Sequence, residues 1–550
     1  IDRPCPACLG ERLRPEALAV RVLGVNLAEL SALRVREVRA FLDRIAGEAG
    51  AIAVARAILT QATSRLDYLE RIGLGYLSLS RPARSLSGGE AQRVALTAAL
   101  GSGLVNTLYV LDEPSAGLHA EDVGRLLDCL RRLRDVGNSV VVVEHDLDVI
   151  RSADVLVDVG PGAGEAGGRI LYVGPPTAIQ AENAPGSLTA DFLNGRRKPR
   201  PPGRRRSTGG ARLRLSGATG HNLKGVDVEI PLGVLCVVTG VSGSGKSTLV
   251  EETLYPALRR RLGLGATAAG LPFGSLTGTG ELNGVVLVDS TPIGRTGRSN
   301  PVTYLKAFDE IRKTFAATHE ARLRNHGPNR FSFNVEGGRC DACEGNGFKT
   351  VDMQFLPDVI VRCAECRGTR FREETLQITY RGRNVAEVLD LTAREAFGFF
   401  RNRPRVQARL RPLLDVGLDY LKLGQPASTL SGGEAQRLKL ASHLATSPGA
   451  ITRAAGGKSH TLFLLDEPTT GLHPADTLKL LDAFESLLSV GHSLVVIEHS
   501  PEILIAADWL IDLGPGAGDE GGTILAEGTP EEVAQRDTPT GRLLARTFDA

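Results

Sequence analysis

"VLCVVTGVSGSGKSTLVEETLY", Val234 to Tyr255, reads as a strand, a glycine loop and a helix. The opening run is short, apolar and β-branched, as suits a parallel strand covered on both faces. Gly240, Gly243 and Gly245 free the backbone to turn its amides inward. The spacing Gly240-x4-Gly245-Lys246-Ser247 is that of a phosphate-binding loop. Gly240, Val241, Ser242, Gly243, Ser244, Gly245, Lys246, Ser247 and Thr248 are therefore assigned to ATP. Lys246 brings positive charge to the β- and γ-phosphates, and Ser247 offers a hydroxyl to Mg2+. The helix that follows points its N-terminus at the anion. An α/β fold is expected.

Two further buried strands carry the remaining chemistry. "TLFLLDE" ends in Asp466, expected to hold Mg2+, and Glu467, expected to polarise the attacking water. "HSLVVIEHS" places His499 at the end of its strand, where it can sense the γ-phosphate. Taken alone, His499 would read as a structural histidine and Glu467 as a solvated carboxylate. Their shared order, and its repetition, decide for function.

The chain repeats itself. "TLYVLDEPSAGLH" (Thr107–His119) matches "TLFLLDEPTTGLH" (Thr461–His473), and "SLSGGEAQRVAL" matches "TLSGGEAQRLKL". Asp112 to Asp466 and His145 to His499 are both offset by 354 residues. The first copy thus supplies Asp112, Glu113 and His145. Ser87, Gly88, Gly89 and Glu90 precede one helical stretch; Ser431, Gly432, Gly433 and Glu434 precede the other. Unpaired amides at such helix starts bind phosphate. Residues 1–195 read as the C-terminal part of a first module and 211–550 as a complete second module. Residues 196–210, rich in Arg, Pro and Gly, read as a mobile, solvated linker. The first copy is expected to lack its own phosphate loop, which would leave its site empty.

Six of eight cysteines fall in Cys-x-x-Cys pairs. In a cytosolic protein such pairs are metal ligands rather than a disulfide framework. Cys340, Cys343, Cys363 and Cys366 fit a structural four-thiolate zinc site inserted at 340–366. Cys5 and Cys8 form half of such a site without its partners. Cys129 and Cys236 stand alone and read as small hydrophobes. No apolar run reaches the roughly 18–20 residues that span a bilayer, and no signal peptide is visible, so a cytoplasmic protein is expected. The net charge of +2 does not select a partner.

The phosphate loop, paired acids and SGGE stretches together resemble the ATP-binding-cassette ATPases. That resemblance implies two cassettes facing head to tail. Lys246, Asp466, Glu467 and His499 would meet Ser87 to Glu90, and Ser431 to Glu434 would meet Asp112, Glu113 and His145. A zinc module between phosphate loop and SGGE is unlike transporter cassettes. With "IGRTGRSNP" (Ile293–Pro301), "RFSFNVEGGRCDACEGNG" (Arg330–Gly347), "LDVGLDYLKLGQPASTLSGGEAQR" (Leu414–Arg437) and "DLGPGAG" (Asp512–Gly518), it resembles the UvrA family over essentially the whole chain.

This resemblance implies tandem ATP-binding cassettes with inserted helical signature domains. It also implies a homodimer that uses ATP to recognise damaged double-stranded DNA in nucleotide excision repair. Such a dimer loads UvrB and is not itself a nuclease. Arg295 and Arg298, with Lys349 and Arg362 of the zinc hairpin, are the candidate DNA phosphate contacts. Where the family has Gln in "DQSPIG", this chain has Ser290 in "DSTPIG". The shorter side chain bears on hydrolysis rate and its coupling to DNA. The alternative is a UvrA-like paralogue that gives resistance to DNA-intercalating drugs without UvrB.

Overall fold

The computed structural model describes residues 5–48, 53–83, 86, 88–100, 104–162, 164, 167–180, 182–198, 201–265, 269–291, 293–294, 298–351, 353, 359–445 and 460–549. Arg295, Ser87 and most of the stretch from Thr446 to His460 lie outside them.

The second module is built on a six-stranded sheet. Its order is Gly284–Val288, Thr461–Asp466, Ser493–Ile497, Leu235–Gly240, Trp509–Gly514 and Thr523–Gly528, all parallel except the last. The phosphate-loop strand is continuously apolar because both its faces are covered. Leu235 and Val237 enter one core, with the helical subdomain, and Cys236 and Val238 enter the other. A three-stranded antiparallel sheet (Ser275–Thr277, Arg212–Ala218, Val226–Pro231) closes that second core. Parallel strands end on one edge, and that edge gathers Gly240, Asp466 and the residues after Ile497.

The first core runs without a break from the sheet through the signature subdomain to Phe331, Phe333 and Phe371, which flank the cysteine cluster. The four-cysteine module is therefore packed onto the cassette rather than tethered to it. Beyond the cysteines a two-stranded hairpin (Phe348–Val351, Val359–Arg362) projects, with Val359–Arg362 exposed along its whole length.

In the first module the described strands form three separate pairs, Arg21–Val22 with Val25–Asn26, Leu108–Asp112 with Ser139–Val143 and Leu156–Gly160 with Arg169–Gly174. By equivalence, Ser139–Val143 and Leu156–Gly160 correspond to the neighbours of the phosphate-loop strand. Between them lies a cavity of about 1350 Å³, lined by Val140–Val143 and Leu156–Val159.

The linker departs from the solvated tether expected of it. The Arg205 guanidinium donates to Ile505 O at 2.9 Å and pairs with Glu531 at 2.6 Å. Arg206 N donates to Asp508 Oδ1 at 2.8 Å, while Asp508 Oδ2 accepts from Leu235 N at 2.9 Å. Asp508 is buried, so one carboxylate fastens the linker to the first residue of the phosphate-loop strand. Composition alone did not reveal this, because the anchoring groups lie some 300 residues away. Asp508→Ala orphans two backbone N–H groups, and a destabilisation of about 2–4 kcal/mol is expected in chemical denaturation.

Candidate functional site

The phosphate loop is held open by its glycines. Gly240 has φ +130°, and a Cβ there would fall 1.9 Å from Leu513 O, so only glycine fits. Lys246 is buried, and its Nζ donates to Gly240 O at 3.0 Å and Val241 O at 2.9 Å. Asn222 Nδ2 braces the loop through Gly243 O and Gly518 O, both at 3.1 Å. Gly522 N donates to Ser244 O at 2.9 Å. The "GPGAGDEGG" stretch therefore serves as the floor of the loop.

Asp466 ends its strand, and Glu467 is the next residue. Both carboxyls are raised to about 8, Asp466 by burial and then by Glu251, Glu467 by burial and then by Asp466. Asp466 Oδ1 is buried with no hydrogen-bond partner among the described residues, which suits a Mg2+ ligand. Glu467 takes φ +44°, and Glu113 in the first module takes +45°. The same strained backbone recurs at both candidate water-polarising residues. Glu498 fixes the backbone of the next strand end, accepting from His499 N at 2.7 Å and Thr469 N at 2.8 Å.

Residues of the first module complete this site. Ser242 N donates to Asp122 Oδ2 and Ser242 Oγ to Gly117 O, both at 3.3 Å. A Cβ on Gly117 would lie 2.5 Å from Glu467 Oε2. Glu90, in the first turn of the helix Gly88–Leu100, accepts a hydrogen bond from Tyr76, and Tyr76 packs against Gly243 and Gly518. The two modules thus meet head to tail, with the first SGGE helix joined to the phosphate loop through Tyr76.

The pseudo-equivalent site is assembled the other way round. Gly471 lies against Glu113, and Glu113 pairs with His145 Nε2 at 3.6 Å. That contact raises the pKa of His145. Ser431 and Glu434 form reciprocal cap bonds, Ser431 N to Glu434 Oε2 at 2.9 Å and Glu434 N to Ser431 Oγ at 3.2 Å. Tyr420 Oη donates to Glu434 Oε1 at 2.6 Å, repeating the Tyr76–Glu90 bond.

Motif reading missed Asn222, Asp122, Gly117 and Tyr76, because each comes from a distant element. It also missed a clamp around Ser290. Lys439 Nζ grips Asp289 and donates to Thr291 Oγ1 at 2.8 Å. Gln436 Nε2, on the same signature helix, donates to Val288 O at 3.0 Å and Asp466 O at 2.7 Å. Ser290 itself is exposed.

The four cysteines converge with ligand sulfurs all within 4.8 Å of one another. Cys340–Cys363 is 4.0 Å and Cys343–Cys366 is 3.6 Å between sulfurs. A zinc tetrahedron with Zn–S near 2.3 Å has edges of about 3.8 Å, so these residues fit zinc and not disulfides. Gly345 permits the tight turn, since a Cβ there would fall 2.0 Å from Phe333 O. Among the described residues no cluster forms at Cys5 and Cys8. Elemental analysis is expected to give one zinc per chain, lost in Cys363→Ser; zinc-free protein would contradict this. Cys129 and Cys236 are buried in apolar cores, as expected.

Of the candidate DNA contacts, Arg298 is paired with Glu344 of the zinc module at 3.1 Å. Lys349 and Arg362 are exposed on the hairpin and form no ion pair among the described residues. The hairpin also exposes Val359, Ile360 and Val361, a feature the cysteine spacing does not signal. No helix among the described residues is long and apolar enough to cross a membrane.

No family model matches the chain. It is 52% identical over 546 residues to UvrABC system protein A of Thermus thermophilus, covering 99% of this chain and 56% of that protein. It is 47% identical over 549 residues to the Staphylococcus aureus (strain COL) protein of the same name, covering 57% of it. The chain thus spans about half the length of the curated relatives it matches. The crystal structure of UvrA2 from Deinococcus radiodurans superposes with a TM-score of 0.88 at 45% identity, covering 99% of this chain and 66% of that one. With the tandem cassettes, the inserted cysteine cluster and these likenesses in agreement, the chain belongs to the UvrA family.

Proposed function

We propose that this chain is the ATP-hydrolysing part of a protein that recognises damaged double-stranded DNA in nucleotide excision repair and loads UvrB. The observation that carries the ATPase reading is the composite site, in which Gly117, Asp122 and Tyr76 of one module close on the phosphate loop and Glu467 of the other. ATP would lie on Gly240–Thr248, with Lys246 against its terminal phosphates and the SGGE helix start facing it across the boundary. Asp466 and Ser247 would hold Mg2+, which neutralises charge on the phosphates. Glu467 orients and deprotonates the water, and neutral His499 marks the far side of the site. Zinc on Cys340, Cys343, Cys363 and Cys366 stiffens the base of the hairpin.

For DNA, Lys349 and Arg362 are the hairpin cations that form no ion pair among the described residues. Arg298, already tied to Glu344, orders the loop beside it. Contacts of this kind hold the backbone without reading bases, so a lesion registers as altered deformability. On this reading the protein works in the cytoplasm as a homodimer. The UvrA names of the relatives support the repair assignment. A filter-binding comparison of lesion-bearing and undamaged duplex, with ATP and with and without UvrB, tests it. Tighter retention of the damaged duplex and UvrB transferred to it are expected; equal retention of both duplexes overturns the reading.

A further inference from the structure

Two histidine pairs face each other across the boundary between the modules. His119, from the first module, meets His499 with ring centroids 5.7 Å apart and planes at 89°. His473, from the second, meets His145 at 6.3 Å and 87°. His119 and His473 are repeat equivalents, each closing the "GLH" that follows the paired acids. Each caps the helix after it: His119 Nδ1 accepts from Glu121 N at 3.3 Å, and His473 Nδ1 from Ala475 N at 3.1 Å.

An imidazole nitrogen that accepts carries no proton, so in the neutral ring the proton sits on Nε2. Burial keeps His119 neutral, lowering its pKa to about 4. In the second pair this Nε2 has Thr189 Oγ1 at 3.5 Å, and Thr189 in turn donates to Asp158 Oδ1 at 2.9 Å. In the first pair His119 Nε2 has no hydrogen-bond partner among the described residues, although the residue is only 1% exposed. His499, at 7% exposure, leaves both ring nitrogens without one. Three unpartnered ring nitrogens at one buried contact are uncommon in a native core, and such groups call for a functional explanation.

The geometry points to His119 as a positioning residue for nucleotide turnover at the complete site, contributed across the module boundary to fix the plane of the His499 imidazole. The backbone of His499 is held by Glu498, so the remaining freedom is rotation of its ring. A second ring set perpendicular at 5.7 Å restricts that rotation. Because His119 belongs to the other module, the restriction exists only while the modules are closed. Closure and readiness for turnover become one event.

This inference rests on reading the site as an ATPase, and its test separates the two. Asn is a strong helix cap, so His119→Asn keeps the cap and removes the ring. In the full-length protein, steady-state ATP hydrolysis and binding of a fluorescent ATP analogue are measured with thermal denaturation. A kcat lower by about tenfold or more, with KM and analogue affinity within about twofold, is expected. His119→Gln, which restores an N–H near the Nε2 position, should recover part of that loss, and it serves as the second variant if Asn fails to fold. Unchanged kcat, or a loss matched by equal loss of nucleotide binding, overturns the proposal. Absence of hydrolysis by the unmutated protein would instead overturn the ATPase reading beneath it.

Discussion

Lys246→Ala is expected to weaken ATP binding at the complete site by roughly 30- to 4,000-fold, the equivalent of losing about 2–5 kcal/mol from a buried charged contact. The reason goes beyond one missing ammonium. Lys246 sits among Glu467, Asp122, Asp466 and Asp512, whose charges all favour its protonated form against the burial that opposes it. Without it, a triphosphate would enter a buried pocket whose carboxylates have lost the ammonium they surround. The loop itself should persist, because Asn222, Gly518 and Gly522 brace its backbone independently of the lysine. Equilibrium titration with a fluorescent ATP analogue measures the effect. Affinity within a few-fold of the unmutated protein would show that the amides and the opposite module suffice.

Glu467→Gln should lower kcat for ATP hydrolysis by about 10²–10⁴, the contribution of a positioned general base, while leaving ATP bound. The substitution keeps shape and removes the basic oxygen. It also tests the electrostatics of the site. The Glu467 carboxyl is raised from its ordinary 4.5 to about 8, first by burial and then by Asp466, with Lys246 opposing. A folded-state pKa above the unfolded one stabilises the fold below the unfolded value, and that stabilisation is lost as pH rises towards 8. The nucleotide-free protein should therefore melt at progressively lower temperature between about pH 5 and pH 8, and Glu467→Gln should flatten that slope. An unchanged kcat, or an unchanged slope, would remove Glu467 from its role.

Much of the second module was legible because its chemistry is local. The phosphate loop, the acids after "TLFLL" and the two cysteine pairs each lie within a short stretch whose spacing is set by one turn or one strand. The repeat then located Glu113 and His145. What spacing could not supply are the partners that long-range packing brings together. Asp122 reaches Ser242 across 120 positions and Asn222 reaches Gly518 across 296. Arg206 finds Asp508 across 302, turning the end of an apparent tether into a fastened strap. Charge alone likewise marked Arg298 as available, whereas Glu344 already holds it. The substitution at Ser290 is clearer in three dimensions. The flanking Asp289 and Thr291 are gripped by Lys439, so this turn is fixed from the signature helix rather than by the residue between them.

The cavity of the first module has a structural meaning. Ser139–Val143 and Leu156–Gly160 border it, and Val141, Val143, Val157 and Val159 stand exposed there. In the second module the equivalent strands hold Leu235–Gly240 between them, paired along both edges and buried throughout. The cleft is therefore a strand-wide berth, suited to an extended segment that is apolar on both sides.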